Sequence, residues 1–286
     1  MPIILPYIPA THLLLYSHIC WPESLFMSGE IVQKQKEALL KKIAEHKSLA
    51  KPILEKASKT NPLEIVFMFD TTGSMDVYLS EVQVHVQMIT REIRKRVPDA
   101  RISVIVYKDH EQGPYVTKTL PFSEKEEEII GFLRSPEIMP GAGGGGAEAV
   151  ECALYEANQL NWTEGTKGKA IILIGDKPPH GVMDSFDDCL SGRDYRIEMN
   201  KLIEKNVKIY TVLCNNVAET ISNFQFLAEK TGGKFVTLEA IHDLVDLIVA
   251  VSIKESNPLL LQAYTEELRQ KGVLTESKRK LLQGIS

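Results

Sequence analysis

The stretch "EIVFMFDTTGSM" (64–75) changes character at its midpoint. Residues 64–69 are a nearly continuous apolar run, the pattern of a β-strand covered on both faces. Asp70, Thr72 and Ser74 then alternate and carry only oxygen, while Gly73 permits a sharp turn. Beyond them Leu79, Val82, Val86, Ile89 and Ile93 recur at spacings of three and four, the period of an amphipathic helix. A buried strand that runs through an oxygen-rich turn into a helix is the opening unit of an α/β fold.

The alternation continues from there. "ISVIVY" (102–107) and "AIILIG" (170–175) read as further buried strands, and "VKIYTVLC" (207–214) and "KFVTL" (234–238) as two more. "YVTKTLPF" (115–122) alternates and is more polar, which suits an edge strand. Helical patterns fall at 124–133, about 148–160, 195–206, 223–233 and 240–254. The expected fold is α/β: a doubly wound, mostly parallel six-stranded sheet over 63–254, Rossmann-like, with one antiparallel edge strand. Residues 1–62 form an N-terminal extension, with an amphipathic helix over 30–50 built on Ile31, Ala38, Leu39, Ile43 and Leu49. Residues 255–286 read as an added helical hairpin, either a cap on the domain or a partner-docking element.

Bulk properties exclude several classes. With 286 residues there is room for one large α/β domain plus extensions, and 44% hydrophobic with 25% charged residues is ordinary for a soluble globular chain. A net charge of −5 leaves no basic footprint for nucleic acid. Cys20, Cys152, Cys189 and Cys214 include no C-x-x-C pair, so neither a zinc ribbon nor a disulfide scaffold is signalled, and a reducing, cytoplasmic location is expected. The apolar segment 1–20 lacks a basic start and is interrupted by Pro6, Pro9 and His12. It makes a poor signal peptide and a broken membrane span. It reads better as a tail that packs on the domain or as a disordered end.

In open α/β sheets ligands bind beyond the carboxyl ends of the strands. Those ends carry Asp70, Thr72 and Ser74, then Asp109 and His110, then Asp176 and His180. Three hard oxygens at alternate positions of one tight loop can converge on a hard cation such as Mg²⁺ or Ca²⁺. The competing explanation is helix capping, for which Ser, Thr and Asp are also favoured. Gly141, Gly143 and Gly146 match G-x-G-x-x-G, yet they do not directly follow a buried strand, and Ala147 and Glu148 stand where a phosphate loop needs Lys and Ser or Thr. A dinucleotide site is therefore not expected. The acidic residues Asp184, Asp187 and Asp188 read as a solvated loop.

The motif D-x-T-G-S-M after a buried strand resembles the first motif of the metal-ion-dependent adhesion site of von Willebrand factor A domains, and the alternation over about 63–254 fits that whole domain. "FDTTGSM", "VYKDH" and "GDKPPHG" look most similar to the intracellular group found in some alpha-kinase-associated proteins. The resemblance implies direct coordination of a metal by Thr72 and Ser74, with Asp70 and Asp176 contributing directly or through water. The family usually adds a threonine from a glycine-containing loop, but "GAGGGGAEA" (141–149) has neither Thr nor Ser. In the group this chain resembles the loop commonly reads G-G-G-D-G-P-E-A, and a similar D-x-P-E segment in integrin β subunits places its glutamate at the metal. That match makes Glu148 the candidate ligand. Gly145 replaces the acid of that loop and Ala147 its proline, a departure expected to bear on affinity more than on the existence of the site.

The function expected from these residues is a non-catalytic, divalent-metal-dependent protein-binding module. Its cation is Mg²⁺, with Mn²⁺ or Ca²⁺ as alternatives, and it accepts a carboxylate from an acidic protein partner. Asp109, His110 and His180 are expected as a second shell or as ligand contacts. The alternatives are a metal-dependent hydrolase or phosphoryl-transfer enzyme, with those three residues as acid or base, and a scaffold whose metal site has decayed. Against catalysis, the first motif lacks the second carboxylate of D-x-D, and no nucleophile elbow is present.

Overall fold

The computed structural model describes residues 62–286 apart from 111–112, 142–145, 183–187 and 215–217. The expected helix over 30–50 and the apolar segment 1–20 lie outside the described residues.

The first strand, β1 (Leu63–Asp70), is buried along its whole length, as its apolar run requires. Its alternation divides the core in two. Leu63, Ile65, Phe67 and Phe69 enter one hydrophobic cluster, and Val66 and Met68 enter the other. The strand that follows the long helix, β2 (Arg101–Tyr107), pairs parallel with β1 on one side. On the other side of β1 lies β4 (Gly168–Gly175), also parallel. The edges are β3 (Thr117–Ser123), antiparallel to β2, and β6 (Phe235–Thr237), parallel to β5 (Lys208–Leu213). The order is β3-β2-β1-β4-β5-β6, a six-stranded mixed sheet among the described residues. The single antiparallel strand is the one with the polar alternation, and it contains Pro121, which an edge strand tolerates.

Helices cover both faces. On one face α1 (Asp76–Arg96) buries Leu79, Val82, Val86, Ile89 and Ile93, beside α2 (Glu126–Leu133) and α6 (Asp243–Ser256). On the other face lie α3 (Val150–Gln159), α4 (Tyr195–Glu204) and α5 (Ala218–Thr231). The C-terminal hairpin is α7 (Pro258–Gln270) and α8 (Glu276–Ile285). Asn257 caps α7 by accepting from the Leu259 N–H at 3.0 Å, and Thr275 caps α8 by accepting from the Lys278 N–H at 3.2 Å. Leu260, Leu261, Tyr264, Leu268, Leu281, Leu282 and Ile285 sink into the same cluster as α6, so the hairpin spends its apolar faces on capping the sheet domain. Among the described residues no helix is long and apolar enough to cross a membrane.

Two boundaries differ from the periodicity reading, each for a local backbone reason. The helix expected from about Glu148 begins at Val150, because Ala149 lies outside the helical region at φ −76°, ψ 52°; the Glu148 N–H is held by Pro178 O at 3.0 Å and the Ala149 N–H by Lys108 O at 3.3 Å. The edge strand expected from 115 begins at Thr117: the Lys108 N–H still reaches Val116 O at 2.9 Å, but Lys108 O accepts from the Ala149 N–H at 3.3 Å, so the ladder goes no further. Both shifts tie loops together at the carboxyl edge of the sheet. Strand order reverses between β1 and β4, the switch point at which such sheets bind ligands. Phe69 pairs with Ile174, so Asp70 and Asp176 leave neighbouring strands at that point.

Candidate metal centre

The turn after β1 arranges its oxygens locally. Asp70 Oδ1 accepts from the Thr72 N–H at 2.8 Å and from Thr72 Oγ1 at 2.7 Å, and Thr72 Oγ1 lies 3.3 Å from Ser74 Oγ. Thr71 serves a different end: its hydroxyl donates to Tyr107 O at 2.8 Å and meets the Tyr115 hydroxyl at 3.0 Å. A single 3-10 turn, Gly73–Met75, leads into α1. Neither Thr72, which precedes that turn, nor Met75, which precedes α1, makes a side-chain capping bond. Helix capping therefore does not account for the trio.

The glycine loop brings Glu148 to the same edge. At one end the Gly141 N–H donates to Thr71 O at 3.0 Å, and Thr72 and Gly141 form a β-bridge. At the other end Glu148 is fastened to Pro178, two residues beyond Asp176. Glu148 is 2% exposed, so it does not reach into solvent; Asp70 and Asp176 are 1% and 2% exposed. Among the described residues Asp70 Oδ2 and Glu148 Oε2 receive no hydrogen bond. Burial raises the carboxyl pKa of Asp70, against the pull of its bonds from Thr72, and the charge of Asp176 raises it further. Burial likewise raises that of Glu148, reinforced by the charges of Asp70, Asp109 and Asp176. The buried ammonium of Lys108 is held elsewhere, donating to Thr71 O at 3.0 Å and Met139 O at 2.8 Å. Buried carboxylates that repel one another, two of whose oxygens receive no hydrogen bond, are the electrostatic setting that a divalent cation relieves. Oxygen donors of this kind fit Mg²⁺, Mn²⁺ or Ca²⁺.

Tyr107, the last residue of β2, belongs to this centre and was not anticipated. Its hydroxyl is buried without a partner among the described residues, and burial with the charges of Asp70, Glu148 and Asp176 raises its pKa well above the ordinary phenol value. A Cβ on Gly175 would lie 2.6 Å from that hydroxyl, so the glycine makes room for the ring. The available signal was a polar tip ending an apolar strand directly before the site loop. An unsatisfied buried hydroxyl costs about 1–3 kcal/mol. Tyr107→Phe should accordingly raise the stability of the chelated protein by about 1 kcal/mol in urea denaturation.

The other expected residues form a second group alongside. His180 Nε2 lies 3.0 Å from Asp109 Oδ1, and His180 Nδ1 lies 3.0 Å from Glu151 Oε1. Burial alone would lower the His180 pKa, but the bonds and charges of the two carboxylates outweigh it and hold the value up to about 10. Glu151, on the first turn of α3, is wholly buried, and His180 keeps its carboxyl pKa low against the effect of burial. Both Asp109 and His180 act electrostatically on Glu148. His110 Nε2 is directed at Cys189 Sγ, 3.3 Å away, and at Cys152 Sγ, 3.7 Å away. Nothing in the spacing of Cys152 and Cys189 announced that they meet. Asp188 is exposed, while Asp184 and Asp187 lie outside the described residues.

Fold and site together describe a doubly wound α/β domain with an oxygen-lined centre at its topological switch point. No family model matches the chain. It is 24% identical over 194 residues to an ariadne-like RING finger protein of Acanthamoeba polyphaga mimivirus, covering 64% of this chain and 19% of that protein. It is 25% identical over 205 residues to the alpha-protein kinase vwkA of Dictyostelium discoideum, covering 69% of this chain and 32% of the kinase. The chain thus spans less than a third of the length of each of these relatives. In structure it is similar to the pilus adhesin SpaC of Lactobacillus rhamnosus GG in its open conformation, with TM-score 0.50 and 14% identity, over 68% of this chain and 30% of the adhesin. A second crystal structure of that adhesin gives 0.51 at 14% identity, over 68% and 31%. At that identity the likeness is one of fold.

Proposed function

We propose that residues 63–254 are a von Willebrand factor A domain acting as a non-catalytic, metal-dependent binding module. In this reading Thr72, Ser74, Asp70, Glu148 and Asp176 hold Mg²⁺ directly or through water, and an open position on the ion accepts a carboxylate from a protein partner. The observation that carries the reading is the pair of buried, donorless oxygens Asp70 Oδ2 and Glu148 Oε2 at the switch point. A cation there would replace the protons that burial favours on these groups. Two neutral hydroxyls in the set would leave the ion enough positive charge to attract an incoming acid.

The geometry offers little to an acid–base enzyme. An effective general base needs a pKa near the working pH. His180 is clamped between two carboxylates and held up to about 10, so it stays protonated at neutrality. Kinase and RING activities are named for proteins of which this chain spans 32% and 19%, and neither is assigned to it.

The test is affinity capture of partner proteins on the wild-type chain and on Asp70→Ala, each with Mg²⁺ and with chelator. Retention by the wild type in Mg²⁺ alone supports the reading. Retention indifferent to both chelator and substitution overturns it, as does Mg²⁺-dependent turnover of a phosphate ester that His180→Ala abolishes.

A further inference from the structure

Beside the oxygen-lined centre, and sharing no donor with it, lies a cluster of different chemistry. His110 comes from the segment after β2, Glu151 and Cys152 from the first turn of α3, and Cys189 from the connection between β4 and α4. Their donor atoms, Nε2, Oε1 and two Sγ, all lie within 4.8 Å of one another. Cys152 and Glu151 are wholly buried, Cys189 is 8% exposed and the His110 side chain 7%. The cysteines are free thiols whose sulfurs are 3.6 Å apart. That is far beyond the roughly 2.05 Å of a disulfide bond.

The separations are those of a coordination polyhedron. Zinc binds thiolate at about 2.3 Å and imidazole or carboxylate at about 2.0–2.2 Å, and a tetrahedron with those arms has edges of about 3.3–3.8 Å. Here Sγ–Sγ is 3.6 Å and the Nε2–Sγ distances are 3.3 and 3.7 Å. Nε2–Oε1 is 3.6 Å, and Cys152 Sγ–Oε1 is 3.8 Å. Five of the six edges of the figure thus fall within that range, and all six within 4.8 Å.

We propose that His110, Glu151, Cys152 and Cys189 form a closed, structural Zn²⁺ site. Its surroundings suit that role. Glu151 is hydrogen-bonded by His180 through Nδ1 at 3.0 Å and through its backbone N–H at 3.2 Å, the support that a ligating carboxylate ordinarily has. Two thiolates and a carboxylate leave excess negative charge over a dication, and the guanidinium of Arg193, 3.8 Å over the Tyr155 ring, acts electrostatically on Cys152. Four protein ligands leave no position for substrate, so the metal fastens rather than reacts. It ties three chain segments together, two of which also present Glu148 and His180 to the neighbouring cation centre. Thiolate and imidazole select zinc, whereas the oxygen set selects a hard cation, so the two sites sort their metals by ligand chemistry.

The experiment uses the full chain, reduced, stripped with chelator and reconstituted with Zn²⁺ or Co²⁺ alone. About one tightly held zinc per chain is expected, and the cobalt form should show thiolate-to-metal charge-transfer absorption with the intense visible bands of a tetrahedral ion. His180→Ala should weaken zinc binding about 10–100-fold by removing the support of Glu151, and Cys189→Ser by more than about 100-fold. Asp70→Asn should leave zinc content unchanged, which separates this site from its neighbour and controls for folding. Absence of thiolate-to-cobalt charge-transfer absorption from wild type and Asp70→Asn alike, the latter lacking the oxygen site, would overturn the proposal without recourse to any cysteine variant. A Cys152–Cys189 disulfide formed in place of metal uptake would overturn it too.

Discussion

Asp70→Asn will abolish Mg²⁺ and Mn²⁺ binding and leave the metal-free protein at least as stable as the wild type. The substitution keeps the shape of the side chain and an oxygen able to accept from Thr72 at the end of β1. It removes the charge that burial and Asp176 penalise. Even the loss of a group that merely supports a metal ligand costs about 10–100-fold in affinity, so loss of a group in the coordination set should exceed about 100-fold by calorimetric titration. If Asp70 served only the architecture of the turn, the same change would lower stability with no effect on cation binding.

This site also fixes a sign for pH. Asp70 and Glu148 both have folded pKa values raised above their ordinary 3.8 and 4.5. A raised acid contributes stability that is complete below its unfolded pKa and is lost as pH rises through its folded pKa. Chelated wild type should therefore lose stability as pH climbs from the carboxylate range through neutrality, Asp70→Asn should lose less, and Mg²⁺ should flatten the wild-type slope. Denaturant midpoints at several pH values, with and without Mg²⁺, measure all three.

Gly233→Ala should be the most destabilising small substitution in the fold. The chain leaves α5 through Gly232, at φ +76°, and the Gly233 N–H returns to Ala228 O at 2.9 Å, a glycine-terminated helix end. A Cβ on Gly233 would stand 2.0 Å from Ile209 O and 2.6 Å from its carbonyl carbon. Those atoms belong to β5, a strand buried between β4 and β6, and no side-chain rotation relieves the clash. Overpacking costs about 1–3 kcal/mol where side chains can adjust, so a backbone clash should cost about 3 kcal/mol or more. Gly232→Ala, which meets only the left-handed φ penalty, should cost about 1–2 kcal/mol. Urea midpoints of the two variants compare the two penalties directly.

Much of this could be read before the fold was known. The apolar runs at 64–69, 102–107 and 170–175 became buried parallel strands, and the polar alternation of 115–122 became the antiparallel edge. The three-and-four spacing from Leu79 to Ile93 became the buried stripe of α1. Asp70, Thr72 and Ser74 stood out because three oxygens at alternate positions of one turn are a local pattern, and their mutual contacts span two residues. Asp176 was reached through a rule about strand ends, since it follows the strand that lies against β1.

What escaped the sequence was long-range. Tyr107 reads as the end of an apolar strand, and only its position against Gly175 reveals an unpartnered hydroxyl facing the carboxylates. His110, Cys152 and Cys189 are separated by 42, 37 and 79 positions in their pairwise contacts, and the absence of C-x-x-C spacing pointed away from a thiolate metal site. Secondary structure follows from periodicity because neighbouring side chains must share a face. Encounters among loops depend instead on which strands lie side by side, and that order is set by the packing of the whole sheet. The sequence by itself thus determined the layered α/β architecture and the oxygen turn that opens it. Tertiary structure alone decided that Glu148, a candidate on the sequence, is buried and fastened to Pro178 at that edge, and that two cysteines and a histidine gather beside it.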